Sequence, residues 1–104
     1  MESVNADELL QRALSGDVTV LDVRPVEEYR AGHLPKARSV PLSELRSRLG
    51  ELPKDREVVA YCRGPYCVLA IEAVQVLRAA GFVAVRLESG PPDWRAVGVP
   101  VVAS

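Results

Sequence analysis

The sequence predicts an α/β fold in which helices cover both faces of a mainly parallel β-sheet. Short apolar runs alternate along the chain with segments whose apolar residues recur at helical spacing. The runs show little alternation with polar residues, as expected for strands that are covered on both faces. The 104 residues, 48% hydrophobic and 26% charged, suffice for a single domain spanning 1–104.

The first half of the chain predicts helices and strands in alternation. Asn5 and Glu8 have the spacing of a capping box, and the helix that they open ends at Gly16. An apolar strand over 18–23 follows, and Pro25 starts a short helix because its fixed φ suits a first helical turn. A weak strand and another small helix come next, over residues 38–40 and 42–49.

The second half repeats this alternation with stronger signals. Residues 57–61 predict a buried strand, and the longest helix runs from about residue 66 or 67 to residue 80. A further strand is predicted over 82–87. A short helix that contains Trp94 and an apolar tail over 99–102 complete the chain. We expect the Trp94 indole to anchor this last helix in the core or at its rim.

Cys62 is the strongest candidate for chemistry, since it ends a strand and opens a short loop before the longest helix. In parallel sheets, ligands bind at the carboxyl ends of strands, and Asp22 ends another strand. Such a loop aims backbone N–H groups and the positive end of a helix at one point, which favours a thiolate. The alternative is that Cys62 is a small buried hydrophobic residue at a strand end.

The residues after Cys62 also have more than one interpretation. Arg63 either binds an anionic substrate bidentately or is solvated, and Gly64 either lets successive amides form an anion-binding nest or makes a plain turn. Pro65 removes one N–H donor from any such nest. Cys67 lies five residues beyond Cys62, so the pair does not form a Cys-x-x-Cys motif. Cys67 is either a resolving thiol, a second sulfur acceptor or a residue packed at the start of the helix. The residues expected to bind substrate are Arg63, Gly64, Pro65, Tyr66, Cys67 and Val68.

Three polar residues outside the loop are also candidates for the site. Asp22 and Arg24 either face the loop in a supporting role or form a local ion pair that fixes the turn between strand and helix. His33, the single histidine, is expected to be a structural hydrogen-bonding residue rather than half of a Cys–His pair. No cluster of His, Cys, Asp and Glu has metal-ligand spacing, so we expect neither a metal nor another cofactor.

Charge and cysteine content restrict the partners and the compartment. The formal net charge of −1 gives no overall attraction to nucleic acid or to a membrane. No apolar run approaches bilayer length, and the polar, acidic N-terminus is unlike a signal peptide. Two cysteines do not make a secreted disulfide framework, so we expect a reducing, cytoplasmic location.

An ordered set of short motifs covers most of the chain. They include Leu21-Asp22-Val23-Arg24, Gly32-His33-Leu34-Pro35, the loop from Cys62 to Cys67, and Leu87-Glu88-Ser89-Gly90. In this order they resemble a single-domain rhodanese. The resemblance implies a five-stranded parallel sheet flanked by helices. It also implies that Cys62 carries a persulfide between a sulfur donor and a thiophilic acceptor such as cyanide or a thiol.

We therefore predict a thiosulfate sulfurtransferase-like enzyme whose partners are a small anionic sulfur donor and a thiol, cyanide or protein acceptor. The alternative is a non-catalytic module for sulfur or redox sensing or for docking, since the loop also looks like that of rhodanese domains attached to small winged-helix repressors in bacteria. A phosphatase or arsenate reductase is a third interpretation, although the loop is short for a phosphate-sized anion and lacks the closing arginine.

The two cysteines carry one further hypothesis. A loop whose amides face inward brings its ends together, so Cys62 and Cys67 could come within disulfide reach, for which Cα atoms lie about 4.4–6.8 Å apart. Cys67 would then resolve a Cys62 persulfide or sulfenate as a reversible internal disulfide. The alternative is that Cys67 points into the core and never meets Cys62.

Overall fold

The computed structural model describes residues 6–64, 67–91, 94 and 98–103. Helices and strands alternate along these residues, as the sequence predicts. The helices are α1 (Ala6–Leu14), α2 (Val26–Ala31), α3 (Leu42–Arg48) and α4 (Val68–Ala79), and a 3-10 turn (Leu49–Glu51) follows α3. The strands are β1 (Val18–Asp22), β2 (Arg38–Ser39), β3 (Glu57–Tyr61) and β4 (Ala84–Arg86).

The strands form one parallel sheet in the order β2-β1-β3-β4. β1 and β3 pair over their full lengths, from Val18 opposite Glu57 to Asp22 opposite Tyr61. β2 pairs with β1, and β4 pairs with β3, both in parallel. The carboxyl ends of the strands therefore lie at one edge, so the segments after β1 and β3 emerge side by side, and Cys62 follows β3 directly.

The expectation of five strands is wrong for the part of the chain that the structure describes, which has four. The apolar tail adds no parallel strand; instead Val102 pairs with His33 in an isolated antiparallel bridge. The two backbone hydrogen bonds of this bridge are each 2.9 Å long. Because His33 follows α2 and lies outside the sheet, the tail is held against that segment rather than at a sheet edge.

An apolar core lies on each face of the sheet. Side chains alternate along a strand, so successive residues of β3 face the two cores in turn. One core contains Val58, Ala60 and the following Cys62. The other contains Val59 and Tyr61.

Helices α3 and α4 cover the first core with Leu45, Ala70, Ala73, Val74 and Leu77. The second core is covered by α1 and the C-terminal segment, with Leu9, Trp94 and Val99. The prediction of helices on both faces is confirmed.

Helix α4 sets the direction of the loop that precedes it. Cys67 stands before the helix in an extended conformation, with φ −81° and ψ 119°. The helix ends at Ala79, and Gly81 just beyond it has a φ of +93°, a left-handed value that suits glycine. The predicted helix is therefore confirmed, with ends slightly inside the expected ones.

Two predictions concern residues near the ends of the chain that the structure does not describe. The capping box at Asn5 and most of the helix predicted around Trp94 lie outside the described residues. Within the described ranges, α4 is the longest helix at 12 residues, so none of these helices could cross a bilayer.

Trp94 anchors the C-terminal segment in the second core, as predicted. Its side chain is 1% exposed, and its indole N–H donates a hydrogen bond to the Ser89 hydroxyl at 2.8 Å. The Trp94 ring meets the Tyr61 ring edge-on, with centroids 4.8 Å apart. The Trp94 backbone N–H also donates to the Gly90 carbonyl at 3.2 Å. The segment after β4 is thus fixed against the last residue of β3.

At Gly90 the chain passes very close to the start of the cysteine loop. A Cβ atom at this position would lie 2.9 Å from the Cys62 carbonyl oxygen and 2.5 Å from the Arg63 carbonyl carbon, and nearer still to the Arg63 carbonyl oxygen. Separations this short are essentially never seen for real Cβ atoms. Any side chain at position 90 must therefore push the loop backbone away.

We predict that Gly90→Ala lowers the free energy of unfolding by about 1–3 kcal/mol, as overpacking does in close-packed interiors. The added methyl group collides with the Arg63 carbonyl, and the collision is relieved only by moving backbone. Urea denaturation measures the loss. Gly50→Ala is the matched control, because a Cβ at Gly50 meets nothing within 4 Å. Equal stability of the two variants would contradict the close contact.

Candidate active site

Cys62 lies at the carboxyl edge of the sheet, as the sequence predicts. Its side chain is 1% exposed and belongs to the core between the sheet and α4. Hydrogen bonds fix the backbone just before it on both sides. Val23 N–H donates to the Tyr61 carbonyl at 3.2 Å, and Leu87 N–H donates to the Ala60 carbonyl at 2.9 Å. The backbone at Cys62 therefore has a defined position between two neighbouring strands.

Cys62 and Cys67 form a disulfide in this structure. Their Cα atoms are 6.1 Å apart, within the range that disulfides span. Cys67 is half-buried and packs against the same core cluster that contains Cys62. The two sulfurs thus lie on the same side of the loop, and in this form neither is a thiol.

A backbone hydrogen bond links the described parts of the loop just before α4. Cys67 N–H donates to the Gly64 carbonyl at 3.3 Å, and Cys67 is the N-cap of α4 without making a side-chain capping hydrogen bond. The first N–H groups of a helix have no partner within it, so α4 presents donors and partial positive charge to the loop. Pro65 and Tyr66, both predicted to bind substrate, lie outside the described residues.

Arg63 makes a bidentate ion pair with Glu28 of α2. Its Nε and Nη2 groups donate to the two carboxylate oxygens at 2.8 and 2.7 Å. These hydrogen bonds hold the pKa of Glu28 below its ordinary value and raise the pKa of Arg63. The Arg63 side chain is still 55% exposed. Arg63 thus tethers the loop to α2, and an anionic substrate has to compete with Glu28 for the guanidinium.

Asp22 and Arg24 form a buried ion pair at the turn between β1 and α2. The Arg24 Nε and Nη2 groups donate to the carboxylate at distances between 2.6 and 3.2 Å, and Nη2 also donates to the Gly32 carbonyl at 2.6 Å. Although burial disfavours its charge, the hydrogen bond and charge of Asp22 raise the pKa of Arg24. The sequence left two interpretations open, and the structure has the ion pair that fixes the turn.

Tyr61 supports the same turn, a role that the sequence did not reveal. Its buried hydroxyl accepts a hydrogen bond from Leu34 N–H at 3.1 Å, and the Arg24 guanidinium lies 5.7 Å from its ring centroid. Burial, together with the negative charge of Asp22, raises the pKa of Tyr61 far above its ordinary value. The available signal was a tyrosine that ends a largely apolar strand, directly before Cys62.

His33 has structural contacts, as the sequence predicts. Its ring stacks on the Tyr29 ring with centroids 3.7 Å apart, and its Nδ1 atom lies 2.7 Å from the Tyr29 carbonyl oxygen. Its backbone forms the bridge to Val102. In the part of the chain that the structure covers, no group of three or more His, Cys, Asp and Glu side chains could hold a metal ion.

A cleft of about 450 Å³ opens at the same edge of the sheet as the cysteine loop. Its lining is mainly apolar and includes one arginine, with Val23, Pro25, Pro41, Leu42, Ser43, Arg46 and Leu69. Leu69 lies in the first turn of α4, beside Val68, which is 60% exposed. Sequence patterns did not single out Arg46, because an exposed helical arginine resembles any solvated one. The cleft offers room and positive charge for a small anion near the loop.

Known proteins share this sequence pattern. The rhodanese-like domain family matches residues 5–96 of the chain. An HTH-type transcriptional regulator of Mycobacterium tuberculosis is 51% identical over 100 residues, which cover 96% of this chain and 44% of that protein. The chain therefore spans less than half the length of this relative. A protein of Allochromatium vinosum named a sulfurtransferase is 33% identical over 105 residues, which cover 99% of this chain and 96% of that protein.

The architecture agrees with these similarities. The crystal structure of a rhodanese-related protein from Thermoplasma volcanium matches with a TM-score of 0.84 and 31% sequence identity, covering 100% of both chains. The family match, the relative of nearly equal length and the shared fold lead to one conclusion. This chain belongs to the rhodanese-like family.

Proposed function

We propose that this chain is a sulfurtransferase that moves sulfane sulfur from a small anionic donor such as thiosulfate to a thiol or cyanide acceptor through a persulfide on Cys62. The observation that carries the proposal is the position of Cys62, which directly follows β3 and opens the loop into the N-terminus of α4. The Allochromatium relative is named a sulfurtransferase, which supports this class of reaction. A protein thiol is a chemically equivalent acceptor.

The reaction starts from the reduced protein, because a disulfide-bonded Cys62 is not a nucleophile. The Cys62 thiolate attacks the outer sulfur of thiosulfate. A bond forms between Cys62 and that sulfur, the sulfur–sulfur bond of thiosulfate breaks, and sulfite leaves with the bonding electron pair. The acceptor then attacks the terminal sulfur of the persulfide, and Cys62 leaves as a thiolate.

Backbone N–H groups stabilise the negative charge at each stage. They come from the loop and from the first turn of α4, whose dipole also favours an anion. Pro65 has no N–H, and the Cys67 N–H already donates to the Gly64 carbonyl, so the loop offers fewer donors than its length suggests. We therefore propose that Val68, at the start of α4, provides one of the main donors to the persulfide.

Asp22 and Arg24 act as positioning residues in this proposal. Their ion pair fixes the turn after β1, and the neighbouring Val23 N–H holds the Tyr61 carbonyl. Tyr61 directly precedes Cys62, so the pair sets the backbone from which the nucleophile projects. Neither side chain is required to touch the sulfur donor.

The thiol form of Cys62 persists only in a reducing compartment. We propose a cytoplasmic location, because a reducing compartment regenerates the Cys62 thiol. We further propose that residues 1–104 act as one rhodanese-like domain, and that the steps above use no metal, organic cofactor, nucleic acid or membrane.

A sulfur- or redox-sensing module is the second candidate. Its support is the 51% identity to a protein named an HTH-type transcriptional regulator, of which this chain spans 44%. In this function Cys62 takes up sulfur or is oxidised once, and the altered loop signals to an attached or separate regulator. The same cysteine serves both candidates, so the number of turnovers distinguishes them.

We predict that Cys62→Ser abolishes sulfite release from thiosulfate, because the hydroxyl cannot carry a persulfide. The test uses reduced protein, freed of reductant and mixed with thiosulfate, and measures sulfite per protein chain. Cys67→Ser is the matched control, since it removes the other cysteine and leaves Cys62 in place. Equal sulfite release by Cys62→Ser and the parent chain would exclude Cys62 as the sulfur carrier.

Steady-state assays separate the enzyme from the sensor. With excess thiosulfate and cyanide, an enzyme produces thiocyanate continuously, and we expect many equivalents per chain. A sensor would stop after a single stoichiometric sulfur load in Cys67→Ser, which cannot form the disulfide, as well as in the parent chain, and that result would contradict the enzymatic proposal and favour the second candidate. Cys62→Ser gives the background rate for both outcomes.

We predict that Arg46→Gln raises the KM for thiosulfate about two- to fivefold and changes kcat little, as expected for one exposed charge contact with the donor. Steady-state kinetics at low ionic strength measure the shift. Arg56→Gln is the control, because the Arg56 side chain is 37% exposed but the residue precedes β3 at the opposite edge of the sheet. An equal rise of KM in both variants would show that only the overall charge matters.

A further inference from the structure

We propose that Cys67 is a second catalytic residue, which attacks the Cys62 persulfide and releases the transferred sulfur as hydrogen sulfide. The chain would then reduce the donor's sulfane sulfur with its own two thiols, an activity distinct from transfer to an external acceptor. This inference rests on the proposed function, because it needs the Cys62 persulfide as its substrate.

The first support is the covalent geometry of the loop. Cys62 and Cys67 form a disulfide, with Cα atoms 6.1 Å apart across a sequence separation of five. Their sulfurs therefore meet within this fold, and β3 and α4 hold the backbone on either side. A resolving thiol has to reach the Sγ atom of Cys62, and Cys67 meets that condition without help from a distant segment.

The second support is the environment of Cys67. Its side chain makes no capping hydrogen bond to α4, so no competing interaction of that kind holds the sulfur away. It is half-buried and, like Leu69, packs against the core cluster that contains Cys62. It also precedes a 12-residue helix, whose first N–H groups favour a thiolate at this position.

The resolving step balances in atoms and electrons. The Cys67 thiolate attacks the inner sulfur of the persulfide, which is the Sγ atom of Cys62. An Sγ–Sγ bond forms, the bond between the inner and outer sulfurs breaks, and the outer sulfur leaves as HS⁻ with the electron pair. The two cysteines are oxidised to a disulfide, and the sulfane sulfur is reduced to sulfide.

Attack on the outer sulfur would have a different result. It would only move the persulfide from Cys62 to Cys67, without releasing sulfide. Attack on the inner sulfur would give the Cys62–Cys67 bond that the structure holds, so the fold accommodates the product of the proposed step. A dithiol reductant then resets the site by thiol–disulfide exchange, through a mixed disulfide.

The test is a single turnover with thiosulfate in the absence of any added thiol. Reduced parent chain should release one equivalent each of sulfite and sulfide, and intact-mass analysis should show the Cys62–Cys67 disulfide. Cys67→Ser should release sulfite but at least tenfold less sulfide, and it should gain the mass of one sulfur atom. Hydrogen sulfide and sulfite are quantified separately in the same samples.

The outcomes separate the two proposals. If the parent chain releases sulfite but retains the added sulfur and no sulfide appears, Cys67 is not a resolving residue and the proposed sulfurtransferase stands. If neither protein releases sulfite, the persulfide proposal itself fails. Sulfide release by Cys67→Ser at the parent rate would also overturn the role of Cys67.

A measurement on the parent chain covers the case in which Cys67→Ser does not fold. Samples quenched with an alkylating reagent during the turnover report persulfide, free thiols and disulfide over time. Sulfide should appear at the same rate as the disulfide, after sulfite. Sulfide release that precedes or greatly exceeds disulfide formation would contradict the resolving step. Cys67→Ala provides a second, apolar replacement for the variant experiment.

Discussion

The buried ion pair between Asp22 and Arg24 is the interaction on which the geometry of the candidate site depends. Arg24 joins the end of β1 to the Gly32 carbonyl beyond α2 and lies over the Tyr61 ring. Three segments are thereby fixed to one another directly before Cys62. Removing one member of a buried pair leaves an uncompensated charge, which typically costs about 3–5 kcal/mol. The pair is therefore a structural requirement of the loop as well as of the turn.

The local features of the fold were largely predictable from the sequence. The strand over 57–61 was predicted with the observed boundaries. A short apolar run that ends at the cysteine loop favours a buried strand over a helix. The parallel sheet followed from the alternation of helices and strands. A fifth strand was expected from family resemblance, but the described residues form a sheet of four, and Val102 of the tail pairs with His33 in an isolated bridge. Such a pairing depends on distant backbone positions that sequence patterns do not encode.

In the candidate site, too, the local features could be predicted from the sequence and the contacts between distant segments could not. Cys62 and its helix could be located from a strand, a glycine–proline loop and a helical pattern. The partners of the loop could not, because they come from far along the chain. Arg63 pairs with Glu28, 35 residues earlier, and Gly90 touches the loop from beyond β4. Each of those residues taken singly has an ordinary sequence context, and their roles emerge only when the segments pack.

The contact at Gly90 also limits how this loop can change in evolution. At Gly90 the backbone after β4 packs directly against the Cys62 and Arg63 carbonyl groups, and no space remains there for even a methyl group. Inserted loop residues would have to extend toward solvent, away from the backbone at Gly90. A descendant that accommodated a bulkier oxyanion would therefore gain its extra volume on the open side, where Val68 and the cleft beside α3 lie.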